Sequence, residues 1–211
     1  MTNTEFLHSL SAELDSLPAW SLEEAAPSST LILSIDMNKG FTRTGAMASP
    51  RVAAILPATR SFLKSCRDGG YFIAAVTDFH TADSIELGSY PPHCLEDSSE
   101  PELAPEIGEF PQKILTKNST NAFFAPGMDR LLNGKETVVV TGCCTDICIL
   151  QFALSLKAYA NQADRPLEVI VPRQLVETYD APGHPAGLMQ SMALHTMLEN
   201  GIRVVQYLPT K

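Results

Sequence analysis

The chain has 211 residues, 45% hydrophobic and 18% charged, a balance suited to one globular domain that buries roughly 70% of its unfolded surface, with no low-complexity tract long enough to suggest disorder. Its net charge of −9, from 24 acidic and 15 basic residues with no Lys/Arg cluster, argues against a nucleic-acid partner, because a phosphate backbone would be repelled. No apolar run approaches the ~20 residues of a membrane span, and the polar, acidic stretch from Met1 to Ala19 lacks the order of a signal peptide, so no membrane association and a cytoplasmic location are expected.

In chain order, a helix is expected from Asn3 to Leu14. Short apolar, β-branched runs then predict six strands: Thr30 to Ile35, Tyr71 to Thr77, Lys113 to Leu115, Glu136 to Thr141, Leu167 to Val171 and Arg203 to Tyr207. Between them, apolar residues spaced three and four apart predict helices over Pro50 to Cys66, Gly127 to Leu132, Thr145 to Tyr159 and Pro185 to Glu199. Strands alternating with helices imply right-handed crossovers, so the expected fold class is α/β: a single domain with a six-stranded parallel sheet and helices on both faces. One connection breaks the alternation. Asp78 to Gln112 is rich in Pro, Ser and acids and has neither period, and structureless loops of that length are usually functional.

Ligands of open α/β sheets bind beyond the carboxyl ends of the strands. Asp36, Asp78 and Lys117 stand at or just past three such ends, and Gly142-Cys143-Cys144-Thr145-Asp146-Ile147-Cys148 follows the fourth and enters a helix. A cysteine in the first turn of a helix, here Cys148 with Thr145 or Cys144 as cap, meets free backbone N–H groups and the macrodipole, which lower its pKa and make it a nucleophile. A small buried hydrophobe is the competing reading of Cys148. Asp36 ends an apolar strand, where burial raises a carboxyl toward the range of a general base; it could equally cap the following turn. Lys117 could steady a thiolate or be a solvated surface lysine. The five cysteines (Cys66, Cys94, Cys143, Cys144 and Cys148) are odd in number and lack CxxC spacing, which points to reduced thiols and not to disulfides or a zinc finger.

The ordered set shifts these alternatives. Ser34-Ile35-Asp36-Met37-Asn38-Lys39-Gly40-Phe41, Thr116-Lys117 and Gly142-Cys143-Cys144-Thr145-Asp146-Ile147-Cys148-Ile149 resemble the three signature regions of the isochorismatase-like cysteine hydrolases, over roughly residues 30 to 207. The resemblance implies Asp36, Lys117 and Cys148 as the catalytic set. It also implies a cis peptide between Cys143 and Cys144, with the N–H groups of Cys144 and Cys148 forming an oxyanion hole.

Within the long loop stand Asp78, His80, Glu86 and His93. Two imidazoles with one or two carboxylates suit zinc, iron or manganese, and Asp78 and His80, at i and i+2 of an extended segment, point the same way. Loop histidines are also common on surfaces. The loop is similar to the metal-binding loop of nicotinamidases within the family, which implies Asp78, His80 and His93 as ligands, Glu86 as a fourth found in some members, and one divalent metal ion per subunit, with zinc first among the candidates. The implied activity is hydrolysis of nicotinamide to nicotinate and ammonia through a Cys148 thioester, the metal anchoring the pyridine nitrogen. Phe41, Tyr90 and Phe123 are expected around the aromatic ring, and a homo-oligomer is expected. The alternatives are a metal-free relative acting on another amide or a vinyl ether, and a non-catalytic scaffold member. His184 and His195 receive no role from the sequence.

Overall fold

The computed structural model describes residues 2–209. Its strands are β1 (Ala19–Trp20), β2 (Thr30–Ile35), β3 (Phe72–Asp78), β4 (Lys113–Lys117), β5 (Thr137–Cys143), β6 (Glu168–Pro172), β7 (Val176–Glu177) and β8 (Arg203–Tyr207). They form one parallel sheet in the order β1-β8-β6-β5-β2-β3-β4, with β7 paired to the end of β5. The sheet therefore has eight strands where six were expected. The two extra strands are two residues long, too short to carry a period.

The helices are α1 (Asn3–Asp15), α2 (Lys39–Thr42), α3 (Pro50–Ala54), α4 (Leu56–Asp68), α5 (Met128–Leu132), α6 (Leu150–Gln162) and α7 (Ala186–Glu199), with one π-helical turn at Thr145–Ile149 leading into α6. The stretch expected as a single helix from Pro50 breaks at Ile55. Pro57 in the next turn has no N–H to donate, and the chain restarts as α4. Among the described residues, no helix is long and apolar enough to cross a membrane.

Both sheet faces are covered, so the central strands read as continuous apolar runs. Alternate residues of β2 divide between the two sides: Leu31, Leu33 and Ile35 pack with Phe152, Leu156, Leu194 and Met197 of α6 and α7, while Ile32 packs with Phe62 and Leu63 of α4. All six residues of β2 are buried, which fixes the depth from which Asp36 emerges.

The long loop is irregular but tied down. It pairs back through His80 with Leu95 and through Asn38 with Leu103 as isolated bridges, and it buries Cys94, Ala104, Ile107 and Phe110. Lys39 and Gly40 donate backbone hydrogen bonds to the carbonyls of Glu102 (2.8 Å) and Glu100 (3.0 Å), binding the start of α2 to the loop. Polar loop chemistry is thereby held over the carboxyl ends of β2, β3 and β4.

Candidate active site

The site is built by four adjacent strands in the order β5-β2-β3-β4. β2 delivers Asp36, β3 Asp78, β4 Lys117, and β5 runs into the turn that carries Cys148. Parallel pairing aligns their ends: Ile35 lies opposite Val76 and Gly142, and Asp78 opposite Lys117. Two backbone positions there have positive φ. Asp36 at +56° turns the chain out of β2 while its N–H donates to the Val76 carbonyl at 2.8 Å. Gly142 adopts +119°, and a Cβ there would sit 1.9 Å from the Ile35 oxygen. Only glycine permits β5 to pass that close to the strand ending in Asp36. The Cys143–Cys144 peptide bond is cis.

Lys117 is the centre of the charge arrangement. Its Nζ lies 2.9 Å from Asp36 Oδ2, pairs with Asp78 Oδ1, and stands 3.9 Å from Cys148 Sγ, with all four side chains buried. Burial alone would lower the lysine's pKa, but the charges of Asp36, Cys148 and Asp78 outweigh it and hold the ammonium well above its ordinary range. Asp78 feels burial in the opposite sense. The Lys117 ammonium, with the His80 and His93 imidazoles beside it, overcomes that, keeping its carboxyl below the usual carboxylate range. Asp36 is different: burial, then repulsion from Asp78, raises it to about 7 against the pull of Lys117, and no backbone N–H reaches its carboxylate oxygens. A carboxyl at that level exchanges protons near neutral pH.

The lowered thiol pKa expected from a helix start is not what the folded site provides. Cys144 caps the π-helical turn without a side-chain bond, and Cys148 is sealed from water, so burial pushes its thiol well above the ordinary value despite Lys117. Burial thus favours the thiol form of Cys148, whose Sγ stands 3.9 Å from the Lys117 Nζ that also pairs with Asp36. Cys143 points the other way, donating its S–H to the Asp36 carbonyl at 3.1 Å.

Asp78, His80, Glu86 and His93 converge beside this cluster, each offering a ligand atom within 4.8 Å of the others. Asp78 oxygens lie 3.7 Å from His80 Nε2 and 3.4 Å from His93 Nε2, and Glu86 Oε1 lies 4.0 Å from His80 Nε2. The outer nitrogens are anchored: His80 Nδ1 meets Asn118 Oδ1 at 2.7 Å, itself held by the Ser84 hydroxyl, and His93 Nδ1 meets the Pro91 carbonyl at 2.7 Å. Such anchors leave Nε2 as the ligating atom. Buried His80 Nε2 and Glu86 Oε1 have no hydrogen-bond partner in the protein, so the donor set fits a divalent cation.

Phe41, Met47, Tyr90, Thr120, Cys144 and Ile147 close a slot in which Cys148 faces Asp78, Glu86 and His93. Its free volume is about 20 Å³, room for a water or two, so a ring-sized ligand enters only if a lining side chain moves. Met47 and Tyr90 also line an adjoining cleft of about 450 Å³ with Tyr179 and Asp180, so these two side chains separate it from the slot. The unbranched Met47 is the most adaptable of these walls.

Of the three aromatic residues expected around a ring, Phe41 and Tyr90 lie at the slot and Phe123 does not. Asn121 starts a 3₁₀ turn that swings Phe123 away to pack edge-on against Phe124 (5.6 Å between centroids) and beside Tyr159 (5.5 Å). Met47, Thr120 and Ile147 line the slot without having been singled out in sequence. Asn118 was missed as well, although its place one residue past Lys117 at a strand end was a readable signal.

A model of the isochorismatase domain matches residues 30–199. The chain belongs to the isochorismatase-like cysteine hydrolase family. It is 27% identical over 210 residues to nicotinamidase 1 of Arabidopsis thaliana, an alignment covering 84% of this chain and 86% of the relative. It is 28% identical over 180 residues to maleamate amidohydrolase of Pseudomonas putida, covering 74% of this chain and 76% of the relative. In three dimensions it is similar to the zinc complex of Pyrococcus horikoshii pyrazinamidase, with TM-score 0.70 and 23% identity over 84% of this chain and 99% of that one.

Proposed function

We propose that this family member is a nicotinamidase-type amidohydrolase that converts nicotinamide to nicotinate and ammonia. The observation that carries the reading is the meeting, in one slot, of Cys148 with Asp36 and Lys117 on one side and the four-residue donor set on the other. The similarity to a plant nicotinamidase supports the substrate, and the zinc in the pyrazinamidase supports one zinc ion per subunit. Such an ion, held by Asp78, His80, His93 and Glu86, supplies an electrophilic anchor for a ring nitrogen.

Asp36 takes the Cys148 proton, and the sulfur adds to the carboxamide carbon. The N–H groups of Cys144 and Cys148 hold the oxyanion. Ammonia leaves with the proton returned by Asp36, leaving a thioester. Asp36 then draws a proton from water as its oxygen adds to the thioester carbon, the C–S bond breaks, and the proton returns to sulfur. Lys117 keeps its charge throughout and balances whichever of Asp36 and Cys148 is anionic. Phe41 and Tyr90 bracket the flat ring.

The similarity to maleamate amidohydrolase favours a second reading, hydrolysis of maleamate or a like amide. Ammonia release from nicotinamide, pyrazinamide and maleamate, measured with stoichiometric metal analysis before and after chelation, separates the two. Turnover of nicotinamide that is lost on chelation and restored by zinc is expected. A metal-free protein that prefers maleamate overturns the nicotinamidase reading.

A further inference from the structure

His184 has no part in the chemistry above, yet it is bonded to the segment that carries the nucleophile. Its Nε2 lies 2.7 Å from Asp146 Oδ2, and the Thr178 hydroxyl donates to the other oxygen, Asp146 Oδ1, at 2.5 Å. Asp146 belongs to the π-helical turn that contains Cys148, two residues on. Both of its oxygens are thus tied to one segment, residues 176–184, whose start pairs as β7 with Gly142 and Cys143.

That segment is itself braced. His184 Nδ1 meets the Tyr179 carbonyl at 3.0 Å, and the imidazole stacks flat on the Tyr179 ring, with centroids 3.9 Å apart and planes 4° from parallel. Ala181 and His184 exchange backbone hydrogen bonds of 3.1 and 2.9 Å across a tight turn. Tyr179 then forms a wall of the adjoining cleft, which shares Met47 and Tyr90 with the slot. One imidazole therefore touches the nucleophile turn with one nitrogen and the cleft wall with its ring and its other nitrogen.

We infer that His184 is a positioning residue: through Asp146 it fixes the turn that aims Cys148, and by stacking it fixes Tyr179 in the wall of the cleft beside the slot. This role rests on Cys148 being the nucleophile, so the experiment reads Cys148 directly, without any substrate.

The rate of Cys148 alkylation by iodoacetamide, followed by peptide mass spectrometry at pH 7.5, is compared for wild type, His184→Ala, His184→Gln and Asp146→Asn, with thermal stability measured alongside. Loss of one hydrogen bond to a buried carboxylate predicts about a tenfold slower reaction in His184→Ala and in Asp146→Asn. The double variant His184→Ala/Asp146→Asn is no slower than either single one. His184→Gln, whose amide still donates to Asp146, recovers most of the rate. A His184→Ala rate within twofold of wild type overturns the inference, as does a His184→Gln variant that folds yet is as slow as His184→Ala. A Cys148→Ala variant that still releases ammonia from nicotinamide removes the nucleophile assignment itself, a failure distinct from the other two.

Discussion

Replacing Lys117 by Met tests whether one ammonium holds the buried charge cluster together. Lys117 is 2% exposed and is, among the described residues, the only basic partner of Asp36, and it also pairs with Asp78. Methionine fills a similar volume, so the change removes charge more than packing. Breaking a buried ion pair by deleting one partner destabilises by about 3–5 kcal/mol, because the surviving charge stays desolvated. In a domain of this size that corresponds to a fall of roughly 6–20 °C in Tm. The size depends on pH through Asp36. Its pKa rises from 3.8 to about 7 on folding, so it binds its proton more tightly in the folded state; its contribution to stability is full below pH 3.8 and is lost as pH rises through about 7. Without Lys117 its pKa moves higher still, so the loss with rising pH is larger. In chelator-treated protein, urea unfolding at pH 8.5 should therefore show a greater penalty for Lys117→Met than at pH 6, where Asp36 is protonated in both proteins. A penalty below about 1 kcal/mol at both pH values would place the cluster in the class of weak, solvent-screened pairs and refute this account.

Four further outcomes follow from the same geometry. Cys148→Ala should abolish ammonia release while Cys144→Ala retains it; the reverse result reassigns the nucleophile. With Asp36 raised to about 7 and acting, as proposed, in its ionised form, kcat/KM should fall as pH drops through that region, or through a lower value where a bound cation offsets the charge of Asp78; a profile flat down to pH 4 excludes Asp36 as the base. Asn118→Ala removes the acceptor that orients His80 and should weaken zinc binding about 10–100-fold, read by competition with a chromophoric chelator, with Cys148 alkylation in metal-free protein unchanged. Gly142→Ala would drive a Cβ to 1.9 Å from the Ile35 oxygen, so a loss of about 3 kcal/mol or more in urea unfolding is expected. An unperturbed variant would mean that β5 and β2 can separate at their carboxyl ends.

What could be read from the sequence divides along a physical line. β2, β3, β5 and β6 announce themselves because burial on both faces demands apolar runs, β4 and β8 by shorter β-branched or apolar stretches, and the residues ending such strands must emerge together when they are parallel. Asp36, Asp78, Lys117 and the Cys148 turn were legible for that reason. β1 and β7 were not, since two residues have no period, and the break at Ile55 was hidden by an apolar spacing that continues across Pro57. Side-chain direction inside irregular segments was beyond reach. Phe123 follows Lys117 by six residues and looked suited to a ring, but the Asn121 cap turns it outward, while Thr120, next to that cap, faces the slot. Electrostatics failed for a related reason. A helix start lowers a thiol only if the turn is regular and wet, and here a π-helical turn sinks Cys148 beneath Tyr90 and Met47, where desolvation prevails. In the proposed reaction that outcome moves the burden of activation from the helix to Asp36, which burial raises to about 7. The proposed reaction then depends on how β2 ends, and so on the close passage that Gly142 allows.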